Sequence, residues 1–211
     1  GLDINKLRHI ITPYANYYYQ HQPSIGPEQL VQFDEIDALD KQNGIILGLE
    51  NRLQTKRGAP GAMQSVDLAT FIISTDYMYR MEKNSWRMKS NKFKSVEMQL
   101  ELIPYSWAYL TSKLSVNTKR YNVQSGSLDL VLNGGEKWQA VFGVRYENPD
   151  MDDLSDNALI SSDVSYRINK NWKVRAYERF NATKGSFEEI ECTVYRDLAA
   201  DGVLAGLFTT R

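Results

Sequence analysis

Apolar and polar residues alternate with a period of two along most of the chain. Between residues 45 and 55, leucine and isoleucine at odd positions, interrupted by Asn51, alternate with Glu50, Arg52 and Gln54. From residue 96 to 102 the alternation is strict, with Glu97 and Glu101 among the polar positions. Successive side chains of an extended strand point to opposite faces of a sheet. The pattern therefore predicts strands with one apolar and one polar face.

About eleven segments of this kind follow one another, and no segment has a convincing helical period. The segments are residues 10–20, 45–55, 66–79, 96–102, 108–116, 128–132, 138–146, 160–168, 172–180, 187–196 and 203–209. Segment 66–79 gives a less decisive prediction of a strand, because it has apolar residues at both odd and even positions. The pattern predicts an all-β, antiparallel, up-and-down fold of about 10–12 strands, which we expect to close as a transmembrane β-barrel or a partial barrel.

The connections between these segments mostly alternate between short and long. Gly, Asn, Asp and Pro predict tight turns at 103–106, 133–135, 169–171 and 197–202. Longer links are expected at 23–42, 82–93, 121–126, 148–157 and 181–186. In an up-and-down meander, alternate links emerge at opposite ends of the sheet. We therefore expect tight turns at one end and longer loops at the other, although link 58–64 is longer than this scheme favours for the tight end. We expect residues 1–211 to form a single β-barrel region.

Charge and hydropathy exclude several classes of protein. The 211 residues carry a net charge of −1, which gives no electrostatic footprint for nucleic acid. No apolar run approaches the roughly 18 residues of a spanning helix. The N-terminus has no signal-peptide core, so we expect either a protein that is not exported or a mature or internal piece. The mean hydropathy of −0.47 suits a soluble protein, but it also suits a membrane barrel, whose strands place every second residue on a polar face.

Strand length and aromatic placement favour the membrane barrel over a soluble sheet. Many segments reach the roughly 9 to 11 residues that a tilted strand needs to cross a bilayer. Aromatic side chains gather near segment ends, where a membrane interface favours them. They are Tyr17, Tyr18, Tyr19, Tyr77, Tyr79, Tyr105, Trp107, Tyr121, Trp138, Tyr146, Trp172 and Tyr195. Two alternatives remain open: a soluble β-barrel or sandwich that binds an apolar ligand, and a small general porin.

The polar faces carry charges of both signs, which would stay hydrated in a water-filled lumen. We expect a lumen-facing polar wall formed by Glu50, Arg52, Glu97, Glu101, Arg145, Asp163, Arg175, Arg179, Glu189 and Glu191. Pairs of Arg175 or Arg179 with Glu189 or Glu191 would connect neighbouring strands of that wall. The solvated outer face of a soluble sheet would present the same residues.

The sequence shows no motif for catalysis, a cofactor or a dedicated metal site, so we expect no enzyme. His9 and His21 lie twelve residues apart on one predicted strand and cannot share a site. Cys192 alternates in register with apolar residues and cannot form an internal disulfide, because it is the only cysteine. Acidic residues in two links lack the pattern of an EF-hand and suggest loose binding of divalent cations at most. They are Asp34, Glu35, Asp37, Asp40, Asp150, Asp152, Asp153 and Asp156.

Several stretches resemble the C-terminal barrel of the lipopolysaccharide-assembly protein family LptD, also called OstA or Imp. The resemblance covers nearly the whole chain in scattered blocks that occur in the family's order. The blocks are residues 9–14 (HIITPY), 33–40 (FDEIDALD), 47–57 (LGLENRLQTKR), 100–107 (LELIPYSW), 135–138 (GEKW), 144–147 (VRYE), 172–180 (WKVRAYERF) and 187–198 (FEEIECTVYRDL).

The resemblance implies an outer-membrane β-barrel that receives lipopolysaccharide from a periplasmic bridge protein (LptA-like) and inserts it into the outer leaflet. It also implies a plug lipoprotein (LptE-like) in the lumen and a location in the outer membrane. The chain has fewer strands than the family's barrel, so we expect it to be the C-terminal portion of a larger barrel. Family members often carry cysteines after the motif that ends at Leu198, whereas residues 199–202 are Ala-Ala-Asp-Gly here. The altered segment puts a disulfide-controlled gate in doubt for this chain.

Overall fold

The structure is a computed structural model that describes residues 4–21, 42–79, 92–148, 156–198 and 202–209. These residues form eleven β-strands, in agreement with the alternating pattern. The strands are β1 (Leu7–Gln20), β2 (Gln42–Arg57), β3 (Gln64–Met78), β4 (Phe93–Tyr105), β5 (Ala108–Asn117), β6 (Val123–Asn133), β7 (Trp138–Glu147), β8 (Asn157–Arg167), β9 (Trp172–Asn181), β10 (Ser186–Leu198) and β11 (Gly202–Thr209).

All eleven strands belong to one sheet whose spatial order follows the order of the chain. Each strand pairs antiparallel with the strands before and after it, which confirms the all-β, antiparallel, up-and-down fold. Within the described ranges, β1 and β11 do not pair with each other, so the sheet is open. No helix in these ranges is long and apolar enough to cross a membrane.

The two faces of the sheet differ from β2 to β10. Directly paired residues of antiparallel strands have their side chains on the same face. The register links Leu100 through Ser112, Leu128 and Val144 to Ile160, and we call the face that they share the apolar face. The opposite face, called the polar face, carries Glu50, Asp129 and Arg175 among others.

The apolar face is not covered by a second layer of the described chain. Each described strand contacts only its neighbours in sequence. Among residues 4–21, 42–79, 92–148 and 156–197, the only buried apolar residues are Ala108 and Ala140, whereas Phe142 is 44% exposed and Ile160 is 47% exposed. A soluble domain normally buries its large apolar side chains between two layers. The apolar face thus has no partner within the described ranges.

The links between strands emerge alternately at the two ends of the sheet. Residues 21–41, 79–92, 118–122, 148–156 and 182–185 connect strands at one end, called the loop end. Residues 58–63, 106–107, 134–137, 168–171 and 199–201 connect them at the other end, called the turn end. The predicted longer links at 121–126 and 181–186 are wrong, because β6 begins at Val123 and four residues suffice between β9 and β10.

Two buried asparagines explain these two short links. The Asn117 side-chain oxygen accepts backbone N–H groups of Lys119 (2.8 Å) and Arg120 (3.0 Å). Asn181 similarly accepts the N–H of Lys184 at 2.9 Å. Four residues after each asparagine, Tyr121 (φ 54°) and Gly185 (φ 67°) adopt the left-handed conformation. Both residues donate their backbone N–H to the carbonyl oxygen of the asparagine, which gives the same compact turn twice.

Candidate functional site

The register places all ten residues of the predicted polar wall on the polar face. Four of them lie on a single row that crosses the sheet from β2 to β10. The row is Arg52, Thr70, Glu101, Thr111, Asp129, Gly143, Ser161, Arg179 and Glu189, each residue directly paired with the next. The strands thus gather residues distant in sequence into one charged surface. Whether this surface lines a lumen stays a prediction.

Among the described residues of the polar face, ion pairs are densest on β8, β9 and β10. Arg175 binds Asp163 through two nitrogens, with Nε 2.9 Å from Oδ1 and Nη2 2.6 Å from Oδ2. Its Nη1 also lies 3.6 Å from Glu191 Oε1, which accepts the Thr193 hydroxyl at 2.6 Å. Since a bidentate guanidinium–carboxylate pair fixes both groups in direction, this network holds three strands in one geometry.

A second cluster surrounds Arg179 at the loop end of β9 and β10. Arg179 lies 3.3 Å from Glu189 and 3.2 Å from Glu188. Glu188 occupies a register shift in β10, and it also accepts an amide hydrogen of Asn181 at 2.8 Å. The pairs Arg175–Glu191 and Arg179–Glu189 confirm the cross-strand prediction. Glu188 was not in the predicted wall, because strict alternation assigns it to the other face.

Most of the remaining predicted wall residues have local partners. Arg145 pairs with Asp129 on β6 at 2.9 Å. Arg52 pairs with Glu50 on its own strand. Glu97 accepts two hydroxyl groups, from Ser95 at 2.6 Å and from Ser115 at 2.7 Å, and Glu101 lies on the shared row described above. Many charges and hydroxyl groups of the described wall are thus partners of one another, which is suited to a hydrated surface.

On β1 and β2, the polar face is built from tyrosines and glycines. Tyr14 pairs directly with Gly48, and Tyr18 pairs with Gly44. A Cβ atom at either glycine would overlap the tyrosine ring. The Tyr18 hydroxyl donates to Asp76 on β3, 2.8 Å away. The sequence prediction placed Tyr18 with Tyr17 and Tyr19 among the strand-end aromatics and overlooked this arrangement, although the equal spacing of the two tyrosines and two glycines could have revealed it.

On the apolar face, aromatic side chains form two rows. The row at the loop end contains Tyr17, Tyr77, Phe93, Tyr146, Phe180 and Phe187, and the row at the turn end contains Tyr105, Trp138, Tyr166 and Trp172. Cations lie over rings of both rows, with Lys92 Nζ 5.9 Å from the Tyr77 centroid and Arg196 Cζ 5.2 Å from that of Trp172. Tyr195, although predicted with these aromatics, shares the polar face with its partner Lys173.

The other candidate groups do not form a site together. His9 and His21 are at opposite ends of β1. Cys192 is exposed and shares the apolar face with its partner Ala176. Asp156 accepts the Tyr146 hydroxyl at 2.9 Å. The described ranges contain no group of three His, Cys, Asp or Glu side chains suited to a metal ion. The other predicted cation ligands lie outside the described residues; they are Asp34, Glu35, Asp37, Asp40, Asp150, Asp152 and Asp153.

Comparison with known proteins gives no match for this chain, either among protein-family models or among curated proteins.

Proposed function

We propose that this chain is a section of the wall of an outer-membrane β-barrel, and that the barrel transports lipopolysaccharide to the outer leaflet. The observation that carries the first part is the apolar face, which is continuous over the sheet and left exposed by the described chain. In a soluble barrel that binds an apolar ligand, these side chains would turn inward and be buried. Contact with lipid hydrocarbon gives them an apolar partner without a second protein layer.

The spacing of the two aromatic rows supports the same placement. Trp138 and Tyr146 on β7 are eight residues apart, as are Trp172 and Phe180 on β9. Eight residues span about 26 Å along a strand. At a strand tilt of about 40°, this corresponds to about 20 Å along the membrane normal, close to the apolar band of about 25 Å in outer-membrane barrels. The two rows would then lie at the two interfaces, with the loop end outside the cell.

In this placement the polar face lines the lumen. Its paired charges of both signs offer hydrogen-bond donors and acceptors to a sugar-rich, phosphorylated molecule while the wall stays rigid. The choice of lipopolysaccharide as cargo rests on the resemblance to the LptD family, as do a plug lipoprotein and a periplasmic bridge protein as partners. A general porin would use the same wall for small solutes.

The placement of the two faces can be tested with the native cysteine. A fluorophore on Cys192 reports the apolar face, and one on Glu191→Cys in a Cys192→Ser background reports the adjacent polar-face position. After reconstitution in vesicles, we expect a nitroxide lipid to quench the first label strongly and the second weakly, with aqueous iodide giving the reverse order. Equal quenching of both labels by the nitroxide lipid would contradict the proposal.

The cargo requires a separate measurement. A photo-crosslinking residue in place of Glu101 on the polar face should capture lipopolysaccharide in cells. The same residue in place of Gln139, near the turn end of the same face, tests whether capture depends on the position along the strands. Ion conductance across a planar bilayer without any capture of lipopolysaccharide at either position would favour the porin over the transporter.

A further inference from the structure

One carboxylate interrupts the apolar face. Glu178 on β9 pairs directly with Ser162 on β8 and with Ile190 on β10. It lies between Trp172 and Phe180, the two residues of β9 that belong to the aromatic rows. No other residue on the apolar face of the described strands β5 to β9 is charged. Ionisable residues at such positions in a membrane protein are costly and usually functional.

The described partner of this carboxylate is a hydroxyl group. Ser162 Oγ donates to Glu178 Oε1 at 3.0 Å. Glu178 is exposed, and within the described residues it makes no ion pair. Residues 149–155, which precede β8, and residues 197–210, which follow Arg196, contain no lysine or arginine. The carboxylate is therefore open to a cation from outside this part of the chain.

The donor and acceptor groups of the pair match a primary ammonium group. The two carboxylate oxygens of Glu178 and the hydroxyl oxygen of Ser162 are three acceptors on adjacent strands, and a primary ammonium has three N–H donors. Hydrogen bonds between opposite charges are the stronger kind. A quaternary ammonium has no N–H to donate, so the same pair would bind it less tightly.

The surroundings of the pair are apolar and open. Phe142 pairs directly with Ser162, and it is 44% exposed. Ile160 and Ile190 are 47% and 44% exposed. Hydrocarbon placed against these three side chains would have its polar end at Glu178. A ligand that combines an acyl chain with a primary ammonium therefore fits better than a soluble amine.

The depth of the pair also suits a lipid headgroup. Glu178 is two residues from Phe180 in the loop-end aromatic row, which is about 7 Å along the strand. At a strand tilt of about 40°, the difference along the membrane normal is about 5 Å. The carboxylate thus lies just inside the interface at which the article's proposed placement puts the loop-end row.

We propose that Glu178 and Ser162 bind the primary ammonium group of a phosphatidylethanolamine-type lipid, with an acyl chain against Phe142, Ile160 and Ile190. The proposal rests on the membrane placement given under the proposed function. A second copy of the chain fits this surface less well, because a two-fold contact centred on the pair would bring two Glu178 carboxylates together.

The test uses the full chain in detergent, with phosphatidylethanolamine as the probe and phosphatidylcholine of the same acyl chains as the reference. Native mass spectrometry counts the retained lipids, and competition with a fluorescent phosphatidylethanolamine gives the affinity. Glu178→Gln removes the charge and keeps the size of the side chain, and Ser162→Ala removes the hydroxyl group. The matched control is Glu147→Gln, which removes an exposed carboxylate at the loop end of the polar face.

We expect the native chain to bind the ethanolamine lipid about tenfold more tightly than the choline lipid. Glu178→Gln should abolish this preference, Ser162→Ala should reduce it, and Glu147→Gln should leave it unchanged. Urea unfolding of lipid-free Glu178→Gln should match that of the native chain, since the carboxylate is open to solvent there.

Equal binding of both lipids by the native chain, an unchanged preference in Glu178→Gln, or an equal loss in Glu147→Gln would each overturn the proposal. A lipid-free dimer that dissociates in Glu178→Gln would also overturn it, because the surface would then belong to a second copy. Lipid preference is measured in detergent, whereas membrane placement is measured by the Cys192 label in vesicles. Failure of one is therefore distinguishable from failure of the other.

Discussion

The side chains on the two faces of this sheet differ in where they find interaction partners. On the polar face, groups such as Arg175, Asp163 and Glu191 find partners inside the chain. On the apolar face, side chains such as Phe142 and Ile160 stay exposed across the described sheet. Within the described residues, many groups of the polar face thus interact with one another inside the sheet, whereas the apolar face is not covered by a second layer.

The largest effect is expected from a charge placed on the apolar face. Leu100→Lys lies near the middle of β4 and, in a bilayer, should lower the free energy of unfolding by roughly 2–4 kcal/mol, the cost of a lysine at the midplane of a barrel wall. Gln99→Lys, one residue away on the polar face, is the matched control and should have little effect. Urea unfolding in lipid vesicles measures both, and equal losses would show that the faces do not differ in environment.

A smaller effect is expected from adding one methyl group to each face. Gly48→Ala places a Cβ atom where the Tyr14 ring lies, and displacement of the ring should cost about 1–3 kcal/mol. Gly126→Ala is the control, because its Cβ would lie 3.5 Å from the nearest atom, Leu114 Cδ1, in ordinary contact. We expect Gly126→Ala to be neutral or stabilising by about 0.5 kcal/mol. Unfolding midpoints that fall equally for both variants would refute close packing of Tyr14 on Gly48.

The smallest expected effect concerns the ion pairs. Arg175 and Asp163 are each about a third exposed (31% and 32%), so solvent screens the pair. Arg175→Gln should cost about 1 kcal/mol or less, and a double-mutant cycle with Asp163→Asn should give a coupling of a few tenths to about 1 kcal/mol that decreases with added salt. Arg167→Gln, exposed on the same face, controls for the loss of a positive charge. A coupling free energy of zero at low salt would mean that the network aligns the strands without stabilising the fold.

Alternation in the sequence was sufficient to predict the number and order of the strands and the face of every predicted wall residue, but not the start of β6 at Val123. It could not predict the partners of those residues, since partners depend on register. A register shift between Leu53 and Gln54 on β2 sets the pairing of Gln54 with Asp67, and the shift at Glu188 turns that carboxylate toward Arg179. Local turn geometry was missed for a similar reason. The Asn117 and Asn181 turns depend on side-chain hydrogen bonds that a tally of Gly and Pro does not detect.

The open edge of the sheet has a consequence for how such a wall could be assembled. All fourteen residues of β1 pair with β2, and within the described ranges its other side has no strand beside it. In water, solvent molecules form hydrogen bonds with the N–H and C=O groups of such an edge at little cost in free energy. In hydrocarbon, each unsatisfied peptide group costs several kcal/mol. Such a sheet can therefore enter a bilayer only when its first and last strands pair with neighbouring strands. Lateral strand pairing and insertion then become a single cooperative event.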